Sequence, residues 1–224
     1  GQTVDGEALY QSAGRILQSG KPDKVAIEPV PVEPAVRTAD LQKATQRIVS
    51  FGTDLKSSSA NRIHNIELSL SKLNGRKVNP GEVFSFNKSV GPRTKARGFR
   101  TAPVITADKS MKDDFGGGVC QASSTVFNSA ALAGMEIVER YHHSFPVSYL
   151  PAGRDATVSY GSADLKFRNN RKTPIFFHTY RKGNLVYVDL YGEPIPNSGS
   201  YKLVTDLLET IPAPEPKKVL DTKG

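Results

Sequence analysis

Gly116-Gly117-Gly118-Val119-Cys120-Gln121-Ala122-Ser123-Ser124-Thr125 is the stretch on which the reading of this chain turns. It sets the single cysteine of 224 residues directly behind three glycines and at the head of Gln121 to Ala133, a segment free of proline and glycine. Small and apolar side chains without a breaker predict a helix, with Cys120 in its first turn. The unpaired amides of a first turn favour negative charge, so they would stabilise a thiolate and could donate to an oxyanion. The glycines allow positive φ or close approach of another group. This is a setting for a cysteine nucleophile. The same pattern also fits a small buried hydrophobe, and sequence chemistry alone leaves both readings open.

Outward from this stretch, the nearest base lies in Tyr141-His142-His143-Ser144-Phe145-Pro146-Val147. A strand predicted at Met135 to Val138 returns the chain after the helix, which makes a Cys–His pair geometrically feasible. Adjacent histidines in extended chain face opposite ways, so one of the two is expected in any single site. Asp155 and Asp164, with Asn169 as a further polar group, are candidates to orient the ring. A structural role for all of these groups in ordering loops is the competing reading.

Helices are predicted at Val4–Leu17, Ala39–Ile48, capped by Thr38, and about Ala60–Leu73, whose apolar face is Ile63, Ile66, Leu70 and Leu73. Strands are predicted at Lys24–Glu28, Val49–Leu55, Arg76–Val78, Val83–Phe86, Pro103–Thr106, Asp155–Ser159, Leu165–Arg168 and Tyr201–Leu208. A hairpin joins Ile175–Tyr180 to Leu185–Tyr191 through Arg181-Lys182-Gly183-Asn184. Ala107 to Gly118 reads as a loop. The fold class is therefore α+β, a mixed or antiparallel sheet with about three helices, the central one starting at Cys120. Residues 1–36 are too few for a core of their own and end in alternating prolines, so they read as the tail of another domain. The main domain is expected over 37–200, with an extended tail over 201–224.

The formal charge is +8, with 30 Lys and Arg against 22 Asp and Glu. The basic runs Arg93–Arg100 and Lys166–Lys172 suit an anionic polymer or a solvated surface, and no nucleic-acid motif accompanies them. No segment is long and apolar enough for a membrane span. The chain begins at Gly1 without methionine, so it is expected to be a processed form or a fragment. No close set of Cys, His and carboxylate residues points to a metal, and no cofactor is expected.

Several motifs occur in order: Arg62-Ile63-His64-Asn65-Ile66, Asn79-Pro80-Gly81-Glu82-Val83-Phe84-Ser85-Phe86-Asn87, Val90-Gly91-Pro92-Arg93, Gly116 to Thr125, His143-Ser144-Phe145-Pro146-Val147-Ser148-Tyr149, Gly153-Arg154-Asp155-Ala156-Thr157-Val158 and Asp164-Leu165-Lys166-Phe167. Over about residues 50–180 the chain resembles the VanW family, bacterial proteins named after an accessory gene of some vancomycin-resistance clusters. The resemblance favours His143 over His142 as the base. It implies that residues up to about Pro34 end a peptidoglycan-binding domain, and that Lys202 onward leads to a further small domain. It also implies an exported or membrane-anchored protein on the extracellular face of the membrane or in the cell wall of a Gram-positive-type bacterium. The family name reports gene neighbourhood and not a reaction.

Two functions follow from these readings. One is binding of peptidoglycan or another anionic wall polymer. The alternative is a cysteine-dependent amidase, peptidase or acyltransferase acting on peptidoglycan peptides. The candidate catalytic residues are Cys120, His143, Asp155 and Asp164. The candidate ligand-binding residues are Arg93, Gly117, Gly118, Gln121, Ser123 and Arg154.

Overall fold

A computed structural model describes residues 2–32, 34, 37–105, 111–194, 201–206 and 208–209. In chain order the elements are β1 (Gln2–Val4), α1 (Gly6–Ser19), β2 (Pro29–Pro31), α2 (Thr38–Lys43), β3 (Gln46–Asp54), α3 (Ala60–Ser71), β4 (Lys77–Val78), β5 (Val83–Ser85), α4 (Phe86–Val90), β6 (Thr101–Ile105), β7 (Met111–Phe115), α5 (Val119–Leu132), β8 (Glu136–Glu139), β9 (Lys166–Arg168), β10 (Ile175–Lys182) and β11 (Leu185–Gly192). Every pairing of these strands is antiparallel. The architecture is α+β, as the sequence predicts.

The largest sheet has the order β3-β11-β10-β4. Its β10–β11 hairpin turns at Gly183, where φ is +60°, a conformation that a two-residue hairpin turn requires and glycine accepts without strain. A second sheet, β5-β9-β8, closes the core from the other side, and β6-β7 forms a separate hairpin. Between them lie Phe84, Phe86, Phe167 and Phe177 with Ile66, Leu70, Val126 and Val188, all buried. Phe84 stacks on Phe167 with centroids 4.8 Å apart.

α5 is buried nearly all round although much of it is polar: Ser123, Ser124, Thr125, Asn128 and Ser129 are inaccessible together with Ala122, Val126 and Ala130. Short side chains make this possible, because they let the helix lie close to the sheet and bond locally. Ser124 donates to Cys120 O (2.7 Å), Thr125 to Gln121 O (2.8 Å) and Asn128 to Ser124 O (2.7 Å), each satisfying a polar group that burial would otherwise penalise. Across to the sheet, Thr125 meets Thr53 (2.9 Å) and Ser129 donates to Val188 O (2.9 Å).

Several expected elements differ. The helix predicted through Ile48 stops at Lys43, because Gln46 onward pairs with β11 as its edge strand; tertiary pairing overrides the local pattern. Part of the loop predicted at Ala107–Gly118 is strand β7, and its residues 107–110 lie outside the described set. Lys24–Glu28 forms no strand, whereas the proline-bearing Pro29–Pro31 pairs with β1. Asp155–Ser159 makes only isolated bridges, since its backbone bonds to α5 side chains: Ala156 N donates to Ser124 Oγ (2.8 Å) and Ala156 O accepts from Ser123 Oγ (2.5 Å). Of the strand predicted at Tyr201–Leu208, residues 201–206 and 208 have no strand structure. Leu207 and most of the extended tail lie outside the described residues.

Candidate active site

The glycine run is a turn held from three sides. Gly118 caps α5 with φ +103°, in the left-handed region where a β-carbon is strained. A β-carbon on Gly117 would collide with Ala102 O, and one on Gly116 would lie 2.7 Å from Arg93 Cγ. Asn65, fully buried on α3, fixes the turn: its Nδ2 donates to Gly117 O (3.0 Å) and Arg100 O (2.8 Å), and its Oδ1 accepts from Arg100 N (2.8 Å). Cys120, partly exposed, emerges from this turn. Its sulfur is 3.5 Å from both the N and the O of Val158, with Thr157 Oγ1 at 3.9 Å. It can therefore donate as a thiol to the carbonyl and accept as a thiolate from the amide.

His143 reaches the sulfur from the segment after β8. Its Nδ1 is 2.6 Å from Asp155 Oδ2, which also accepts the His143 amide at 2.6 Å. Arg140 completes the carboxylate's shell, with Nη2 donating to Asp155 Oδ1 (2.9 Å) and Nε to Asp155 O (2.7 Å). The Arg140 guanidinium in turn lies over the Phe127 ring at 5.3 Å. With Nδ1 committed to Asp155, Nε2 is the nitrogen left for Cys120. Each of the two groups shifts the other's titration.

Burial alone would raise the Cys120 pKa, but the His143 ring, the Val158 amide and the Thr157 hydroxyl outweigh it, and the thiol is held below its ordinary value. Burial likewise disfavours a charged His143, and the Cys120 and Asp155 partners reverse that, raising its pKa. Asp155 is also desolvated, but the amide and ring of His143 together with Arg140 bring its pKa down. The three directions have one cause: each charged form is favoured by its neighbour, Cys120 by His143, His143 by Cys120 and Asp155, and Asp155 by His143 and Arg140.

Asp164 does not reach this ring. It is buried and accepts from Ser85 Oγ (2.5 Å), Asn87 N (2.8 Å) and Leu165 N (2.8 Å), bracing the start of α4. Asn169 is buried and donates to Val78 O and Thr173 O. Gln121 spans inward, donating to Asp54 O (2.8 Å) and accepting from Arg62 Nη2 (3.2 Å), and Ser123 bonds Cys120 O (3.0 Å) and Ala156 O. Arg154 binds Asn128 Oδ1 (2.8 Å) and covers Phe51. Gly117 and Gly118 form the turn itself. Arg93 borders the sulfur's surroundings, packed on Gly116 and lying 5.8 Å from the Tyr160 ring centroid.

Sequence reasoning assigned no role to Arg62, Arg140 or Tyr149. Tyr149 Oη lies 3.5 Å from Ser124 Oγ, one helical turn beyond Cys120. Burial pushes its phenol well above the ordinary range, so it stays a hydrogen-bond donor. Arg62 and Tyr149 both sit inside the quoted motifs, but no spacing rule marks them. Beside His143 and Asp155 opens a cavity of about 320 Å³, also lined by Arg140, Phe145, Val147 and Pro151. Among the described residues no three His, Cys, Asp or Glu side chains converge as a metal site would need, and no helix is long and apolar enough to cross a membrane.

A family model described as VanW like protein matches residues 61–191. The chain is 39% identical over 183 residues to the uncharacterized protein YoaR of Bacillus subtilis (strain 168), covering 81% of this chain and 60% of that protein. It is 33% identical over 115 residues to the Vancomycin B-type resistance protein VanW of Enterococcus faecalis (strain ATCC 700802 / V583), covering 49% of this chain and 42% of that protein. The chain thus spans less than two thirds of the length of either relative. No solved structure matches it.

Proposed function

The chain belongs to the VanW-like family, and from the Cys120 site we propose that it is a cysteine-dependent enzyme acting on amide bonds of cell-envelope peptides. The observation that carries this reading is the His143–Asp155 contact of 2.6 Å, made by a ring that also interacts with Cys120. A packed structural cysteine has no use for an oriented imidazole beside it.

In this reading the Cys120 thiolate attacks an amide carbonyl, forming a C–S bond and a tetrahedral oxyanion. His143, as imidazolium, gives its proton to the departing amine as the C–N bond breaks, leaving a thioester on Cys120. Neutral His143 then takes a proton from water or from an acceptor amine, which attacks the thioester and returns the sulfur as thiolate. Hydrolysis and transfer use the same groups. The amides of Val119 and Gln121 already donate to Gly116 O (3.0 Å) and Gly118 O (2.8 Å). The Cys120 amide and the Tyr149 hydroxyl are therefore the donors assigned to the oxyanion.

The relative named for vancomycin resistance directs the substrate choice to peptidoglycan peptides, and with it an extracellular location. Purified peptidoglycan and defined stem peptides, incubated with the chain and read by mass spectrometry, test the proposal. A product lost in Cys120→Ala and reduced in His143→Ala supports it. Saturable binding to wall material that survives Cys120→Ala, with no product, would establish the wall-binding alternative instead.

A further inference from the structure

Two arginines flank Cys120, and the glycine run explains how they come so close. Gly116 seats Arg93: a β-carbon there would meet Arg93 Cγ at 2.7 Å and Cβ at 2.8 Å. Gly118 seats Arg62: a β-carbon there would meet Arg62 Cγ at 2.8 Å. One arginine stem thus packs on the turn from α3 and the other from the loop after α4, on the two sides of the turn that presents the sulfur.

Both heads have donors to spare. Arg93 gives Nη1 to Gly91 O (3.0 Å) and Nη2 to Asn87 Oδ1 (2.6 Å), both neutral acceptors. Arg62 gives Nη2 to the neutral Gln121 Oε1 (3.2 Å). A guanidinium carries five N–H donors, so most remain unused, and both side chains are only half-buried. Among the described residues neither arginine has a carboxylate at ion-pair distance, whereas the third arginine of the site, Arg140, does. The charge balance agrees. Cys120 and His143 together carry no net charge, either neutral or as an ion pair, and Asp155 offsets Arg140. Asp164 lies in the field of Arg93, but its oxygens are held by Ser85, Asn87 and Leu165. Two guanidinium charges against this one leave the site with an unmatched positive charge. An arginine fork matches the geometry of a planar carboxylate better than a point charge does.

We propose that Arg62 and Arg93 form a carboxylate-binding subsite beside Cys120, so that the substrates are peptides with a free carboxylate next to the amide attacked. This rests on the thiol-enzyme reading and narrows it. The enzyme would work at or near a peptide end, or beside an acidic side chain, and would discriminate against the same peptide carrying an amide in place of the carboxylate.

Iodoacetate and iodoacetamide provide the test, because they alkylate the same sulfur and differ in a carboxylate against a neutral amide. The second-order rates of both are measured on the folded chain and on glutathione as the unstructured reference. The expected result is a ratio of iodoacetate to iodoacetamide rates raised about tenfold over glutathione, the size of one charge-assisted contact. It should fall several-fold in Arg93→Gln and in Arg62→Gln, with Arg93→Lys in between. Acetate should slow iodoacetate labelling of the unmutated chain more than acetamide does, a comparison that needs no variant to fold. Stronger protection by inorganic phosphate than by acetate would overturn the carboxylate assignment. A fast iodoacetamide reaction with the glutathione ratio, unchanged by both arginine variants, would overturn the subsite alone. Slow reaction with both reagents would overturn the thiolate reading and the subsite with it.

Discussion

Asp155→Asn should make Cys120 a weaker thiolate without removing any group that touches the sulfur. The carboxylate is 2.6 Å from His143 Nδ1, and its side chain is only 10% exposed. A hydrogen bond between charged partners at such a site contributes about 1.5–3 kcal/mol. At 1.36 kcal/mol per factor of ten, its loss disfavours the charged ring by about ten- to a hundredfold and so lowers the His143 pKa. The Arg140 charge, left without its carboxylate, pushes in the same direction. A thiolate that depends on the imidazolium then forms less readily, so the Cys120 pKa rises. The assay is the iodoacetamide alkylation rate against pH. The unmutated chain should keep reacting into mildly acidic solution, where the variant is slower by about ten- to a hundredfold. The two profiles should meet once pH exceeds the ordinary thiol pKa of about 8.5. Asparagine can still accept the His143 amide, so the fold should hold, with circular dichroism as the check. Superimposable profiles, or a variant that reacts faster at low pH, would refute the reasoning.

Other outcomes follow from the same geometry. Cys120→Ser should abolish alkylation and shift the melting temperature by only a few degrees, about 1 kcal/mol for a chain of this size, since the sulfur's contacts to Val158 and Thr157 are long, 3.5–3.9 Å; severe unfolding would assign it a packing role. Asp164→Ala should do the opposite, costing about 1–3 kcal/mol in denaturant melts by stranding Ser85 Oγ and the Asn87 amide, while the alkylation profile keeps its midpoint. Tyr149→Phe should leave iodoacetamide labelling unchanged but slow turnover of an activated ester by about 10²-fold, the scale of one oxyanion donor; equal loss in both would point to a structural role. Asp155, with its folded pKa lowered, contributes stability that is present above the ordinary carboxylate range and is lost as pH falls through the lowered value. The acid limb of a melting-temperature profile should therefore be flatter in Asp155→Asn than in the unmutated chain.

The parts of the fold that could be read from sequence are those where local and tertiary preferences agree. α5 announces itself by thirteen breaker-free positions after a glycine turn, and the β10–β11 hairpin by alternation around Gly183. β7 gave no such signal: Lys112-Asp113-Asp114 is charged and exposed, and it is a strand because it pairs with β6. Gln46 and Arg47 continue an amphipathic helical pattern, yet β11 needs them as its edge. In the site, residue type and order pointed to Cys120 and to His142 or His143, and the family resemblance chose His143 between the two. Which carboxylate meets the ring could not, because Asp155 and Asp164 both follow in loops and only the fold distinguishes a partner of His143 from a cap for α4. Arg62 was hidden by its distance along the chain. Its contribution depends on Gly118 lacking a side chain, a relation that appears only when α3 packs beside α5.

The most direct test of the central claim is intact-protein mass spectrometry of the chain after brief exposure to a defined peptidoglycan stem peptide, quenched in acid to preserve a thioester. The account predicts an adduct equal to the acyl portion of the peptide, mapped to Cys120, absent in Cys120→Ala and accumulating more slowly in His143→Ala. An unmodified mass at all times, with the peptide intact and bound equally well by Cys120→Ala, would contradict it.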